Sequence, residues 1–187
     1  FFCNSSINSL NNGYYVFGNF FANINGVDNA GTFILANGTT GIEISRISGV
    51  NPNDSFGSSS ITALNNGNYV FGNPFATING VVKAGTVILA NGTTGAEINR
   101  ISGVNQDDAF GNNRLIHLSN GNYVVGNPKA NVNGINNNGS VILGNGTTGT
   151  KISRIAGVNR NEFFGSSSIT ALINVNCVFV NPFATII

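Results

Sequence analysis

Apolar residues in this chain come in short alternating runs, and asparagine and glycine cut between them. The clearest stretch predicts four strands in a row. Residues 58–64 form the first, and a turn follows at 65–68. Residues 69–72 form the second. A loop at 74–84 carries its own turn at Asn79-Gly80. Residues 86–90 form the third strand and residues 97–101 the fourth. The turn between them, 91–95, reads Asn-Gly-Thr-Thr-Gly, and Asn-Gly supplies the positive φ that tight hairpins use. Residues 103–109 lead onward. No window keeps apolar residues at helical spacing, because glycine interrupts each one.

The same pattern recurs. Asn12-Gly13, Asn66-Gly67 and Asn120-Gly121 mark a 54-residue period, and Arg46, Arg100 and Arg154 keep its register. So do Asp54, Asp108 and Glu162. The units are 1–54, 55–108, 109–162 and a partial 163–187, without insertions. A period held this strictly means that each unit packs on the next in one fixed way. The expected fold class is all-β, with tandem four-stranded antiparallel repeats of the β-propeller-blade type. The alternative is a β-solenoid, but the spacing of Asn-Gly pairs inside a unit shows no regular sub-period. Three units and two strands fall short of the roughly four to eight blades that close a propeller. The chain is therefore expected to be a segment of a larger array, with further repeats as its first partners.

Composition narrows the function classes. Hydrophobic residues make up 41%, enough for a core, and charged residues only 8%, with a net charge of +1. So neutral a chain offers a polyphosphate backbone little electrostatic hold, so nucleic acid is not expected as a partner. No run approaches the roughly 20 apolar residues of a membrane span, so this segment is not expected to insert in one. Cys3 and Cys177 stand at different repeat positions, where other units have glycine and tyrosine, and are not expected to act as a pair.

The units open with Asp-x-Phe-Gly, at residues 54–57 and 108–111. Gly-Asn-Pro follows at 72–74 and 126–128, then Ala-Gly and an apolar strand at 84–89. This order resembles the FG-GAP repeat of integrin α-chain propellers. It is more similar still to bacterial repeats of unknown function in large surface proteins and adhesins. Those share an Asn-Gly-Asn-Tyr-Val-Val core, seen here at 120–125, and the Asn-Gly-Thr-Thr-Gly turn. The resemblance covers essentially the whole chain. It implies a propeller and a role in adhesion or ligand binding, at the cell surface or outside the cell. Many FG-GAP repeats also carry an aspartate-rich calcium loop. Here that stretch, residues 64–69, has no carboxylate, whereas calcium prefers several charged oxygens. No metal or other cofactor is expected.

Candidate chemistry is sparse. His117 is the only histidine and has no motif partner, so no catalytic residue is assigned and an enzyme is not expected. Asp54, Asp108 and Glu162 would set one carboxylate per blade on a ring. The plainer reading is that each bonds nearby backbone amides. The arginines at 46, 100 and 154 fall in the fourth strand, the outer edge of a blade, where charge discourages edge pairing. Asn-x-Ser/Thr sequences at Asn4, Asn37, Asn53, Asn91, Asn138 and Asn145 read as turn chemistry.

In a four-strand meander, the second loop and the connection to the next unit share one end. That end carries most of the charge outside the strands, and the opposite turns at 65–68 and 91–95 carry none. The candidate ligand-binding face is therefore Asp54, Lys83, Asp107, Asp108, Lys129 and Glu162, facing an unknown protein or carbohydrate. The function expected is a non-enzymatic adhesion, ligand-binding or structural segment of a larger secreted or cell-surface protein. The alternatives are the propeller part of a polysaccharide-acting enzyme and a purely structural stalk.

Overall fold

The computed structural model describes residues 7–113, 115–167, 169–171 and 177–179, the last as backbone only. The first unit gives β1 (Ile7–Ser9), β2 (Tyr14–Asn19), β3 (Thr32–Asn37) and β4 (Glu43–Ser48). The second gives β5 (Ile61–Ala63), β6 (Tyr69–Asn73), β7 (Thr86–Ala90) and β8 (Glu97–Ser102). The third gives β9 (Leu115–His117), β10 (Tyr123–Asn127), β11 (Ser140–Gly144) and β12 (Lys151–Ala156). β13 (Ile169–Ala171) pairs with β14 (Cys177–Phe179). Each complete unit is a separate four-stranded antiparallel sheet in sequence order. There is no helix among the described residues.

These sheets stack as propeller-type blades. The short first strands, β1, β5, β9 and β13, lie side by side on the inner edge. The middle strands β6 and β7 are buried along their whole length, because blades cover both of their faces. The fourth strands β4 and β8 have no buried residue, and half of each is exposed. Among the described residues the chain pairs in parallel only at single bridges, such as Gly31 with Phe56 and Gly85 with Phe110. A solenoid would instead stack its strands in continuous parallel sheets.

The Asp-x-Phe-Gly and Gly-Asn-Pro motifs form the seam between blades. Phe56 is 3% exposed. Its ring lies 5.6 Å from Phe33 of the first blade and 5.6 Å from Phe71 of the second. Phe110 fills the next seam, in a cluster with Val87 and Val125. The glycine after each phenylalanine sits at positive φ against the glycine of the facing motif. A Cβ on Gly72 would fall onto the backbone of Gly111. The two motifs recur together because they touch.

Two local expectations change. The first strand is three residues long, Ile61–Ala63, and not 58–64. Its leading serines serve the seam instead: Ser58 N–H donates to Ser55 O, and Ser59 Oγ donates to Gly111 O. The Asn-Gly-Thr-Thr-Gly turn also works differently from the Asn-Gly rule. Asn91 Oδ1 accepts the N–H groups of Thr93 and Thr94 at 2.9 Å, and Gly95 N–H donates to Asn91 O. The positive φ falls on Gly95. Gly92 is needed because its backbone lies against Gly67 O. The hairpin built on positive φ is Asn79-Gly80, at 52° and 81°, closed by the Ile78–Val81 bridge.

Asparagines on the hairpin tips tie blade to blade. Asn12 Nδ2 donates to Gly92 O, and Asn66 Nδ2 to Gly146 O, both at 2.8 Å.

Candidate functional site

The predicted loop face divides into a buried set and an exposed set. Asp54, Asp108 and Glu162 are 4%, 3% and 5% exposed. Each lies in the connection between blades, and each carboxylate accepts backbone N–H groups. Asp54 Oδ2 accepts Asn51 N–H at 3.1 Å, and Oδ1 accepts Thr77 N–H of the next blade at 3.2 Å. Asp108 Oδ2 accepts Val104 and Asn105 N–H groups at 3.1 and 3.0 Å. Glu162 Oε2 accepts Val158 and Asn159 N–H groups at 2.7 and 2.8 Å. A buried carboxylate is tolerated when such donors satisfy it. These three hold the connection in shape and present little surface to a partner.

Lys83, Asp107 and Lys129 are exposed. Lys83 and Asp107 occupy a pair of positions that is bridged in the other units. Asn29 Nδ2 donates to Asn53 Oδ1, and Asn137 Nδ2 to Asn161 Oδ1, both at 3.2 Å. All six residues adopt positive φ, a conformation that asparagine tolerates and lysine rarely takes. Lys129 stands where the other units expose Phe21 and Phe75.

His117 is exposed and lines a cavity of about 550 Å³ on the inner edge. Asn8, Asn11, Ser60, Thr62 and Asn65 share that cavity. Thr62 Oγ1 donates to Leu115 O at 3.0 Å across adjacent first strands. Among the described residues, no group of three or more His, Cys, Asp or Glu side chains could hold a metal ion. No helix among them is long and apolar enough to cross a membrane.

The sequence-predicted Asn turns at 37, 91 and 145 cap their own hairpins. Asn138 is buried, and its Nδ2 donates to Val132 O and Gly157 O. Asn4 and Cys3 lie outside the described residues, as does the Cys177 side chain.

Two ion pairs have no signal in the sequence. Arg46 holds Glu43, and Arg100 holds Glu97, each through Nε at 2.7 Å and Nη2 at 2.5 Å. The Arg46 guanidinium holds the Glu43 carboxyl below its ordinary value, and each carboxylate raises its arginine. Residues three apart in a strand normally face opposite ways. A bulge in β8, where Ile98 is the extra residue opposite the Leu89–Ala90 step of β7, lets Glu97 and Arg100 share one face. The Tyr69 and Tyr123 rings sit in the core, where burial raises both hydroxyls, that of Tyr123 to about 12.

The fold and this loop face define a class, a tandem array of propeller-type β-blades. Within it, residues 63–105 and 117–155 match the family model of a repeat of unknown function (DUF5650), beginning at equivalent positions of the second and third units. A comparison with curated proteins gives no significant match.

Proposed function

We propose that this chain is a non-enzymatic binding segment of a larger secreted or cell-surface protein, and that it recognises a protein or carbohydrate through the loop face. One contrast supports the reading. The buried seam repeats its chemistry in every unit, whereas exposed positions of one loop register change it. Phe21, Phe75 and Lys129 share a register, as do Asp28, Val82 and Asn136, and Pro52, Gln106 and Arg160. Loops on a rigid scaffold can vary in this way without disturbing the core. The FG-GAP-like order of motifs agrees with an adhesive role.

The test is a binding screen of the purified chain against glycans and extracellular matrix proteins. Charge reversal at Asp107 and Lys129 should weaken any binding found. Thr93→Lys and Thr147→Lys, on the opposite end, should leave it unchanged. The reverse pattern would move the site to the other end, and hydrolysis of any polysaccharide in the screen would overturn the non-enzymatic reading. Antibody labelling of intact source cells checks the location. Signal only after permeabilisation contradicts it.

A further inference from the structure

Charge is unevenly divided among the blades. The third unit holds five of the eight lysines and arginines and one acid, Glu162, which is buried. The unevenness has a structural focus on the outer strand. In β4 and β8 the bulge sets a glutamate two-pronged on an arginine. The same bulge recurs in the third blade, where Ile152 of β12 is the extra residue opposite the Leu143–Gly144 step of β11. There Lys151 stands in the place of Glu43 and Glu97, opposite Arg154 in the place of Arg46 and Arg100. The fold thus brings two cations to a spot shaped for a carboxylate–guanidinium pair. Both residues are exposed, and among the described residues neither side chain has a hydrogen bond or ion pair. Exposed Lys129 and Arg160 add to the positive charge of the same unit, on its loops.

We propose that the outer rim of the third blade docks an acidic peptide segment of a partner protein, with a carboxylate of the partner on Arg154 and Lys151 in place of the missing glutamate. Charge complementarity sets the sign of the occupant. The two filled copies of the site show its form: a glutamate carboxylate bound to Nε and Nη2 of arginine, a geometry that selects planar carboxylates. Ile152, 49% exposed, lies between the two cations in sequence. An apolar side chain beside a carboxylate is what a peptide offers and a polyuronate does not. This site lies on the blade rim and stands apart from the loop-face reading.

The experiment uses a fluorescent peptide alternating glutamate and valine, titrated with the full chain by anisotropy. The wild type should bind one peptide, more weakly as salt rises. Lys151→Glu rebuilds the pair of the first two blades, so it should keep the fold and weaken binding by about tenfold or more, the equivalent of ~1.4 kcal/mol. Arg154→Gln should weaken it similarly. The converse variant Glu97→Lys should create a second site and raise the stoichiometry. No binding, unchanged binding in Lys151→Glu, or unchanged stoichiometry in Glu97→Lys would overturn the proposal. So would preference for polygalacturonate or heparin over the peptide, since the rim would then be a glycan site.

Discussion

The seam between blades and the rim of the blades carry charge in opposite ways. At the seam, Asp54, Asp108 and Glu162 are buried, bond to backbone amides and recur in every unit. At the rim, Glu43 and Glu97 are exposed and satisfied by arginine, and in the third unit the acid is exchanged for Lys151. Burial explains the difference. A carboxylate without its donors at the seam would cost the desolvation of a charge, so the position is held to an acid. A rim residue keeps its water and is free to change. Repetition therefore marks where this molecule is built, and variation marks where the frame leaves a residue free to change.

The largest effect should come from emptying the seam. Phe56→Ala removes the ring shared by Phe33 and Phe71 and should cost about 3–5 kcal/mol in urea unfolding. A loss below ~1 kcal/mol would mean that the blades do not depend on that wedge. Neighbouring aspartates give a sharper contrast. Asp108→Ala leaves part-buried N–H groups without their charged acceptor and should cost about 2–3 kcal/mol. Exposed Asp107→Asn, which suits the positive φ there, should stay within about 0.5 kcal/mol. Equal effects would erase the distinction drawn here.

Alkaline pH probes the core beside the seam. The Tyr69 and Tyr123 hydroxyls are raised by burial, so the unfolded chain loses these protons first. Stability should be unaffected by these groups below pH ~10. It should then fall by about 1.4 kcal/mol per pH unit for each tyrosine, and for Tyr123 up to about pH 12. Tyr123→Phe should flatten part of that slope. At the rim the effect is smallest. Glu43→Gln breaks an ion pair in which the two side chains are 40% and 48% exposed, and should cost at most ~0.5 kcal/mol, less in high salt.

Much of the fold was legible in the sequence, because glycine and asparagine punctuate each strand and the period carries no insertions. The plainer reading of Asp54 and Asp108 was legible too, since an acid at a fixed place before a strand commonly bonds local amides. Three features were not. The Glu97–Arg100 pair depends on a bulge, and nothing in the residues 97–101 marks one. The short first strand depends on serines drawn into the seam by a glycine 52 residues away. Positive φ at Lys83, Ala109 and Phe163 is imposed by the loop, against the preference of those residue types. The exposed half of the loop face could not be separated from the buried half, because lone charges in a loop look alike until packing sorts them.

Amide hydrogen exchange, resolved by residue, tests the claim that the seam carboxylates are part of the structural frame. Val104 and Asn105 N–H groups lie in a connection outside any strand and are held by Asp108. They should exchange with the same opening free energy as Val87 in the buried strand β7, and Asp108→Asn should speed them selectively. Exchange at the rate of an open loop, with Val87 still protected, would contradict the account.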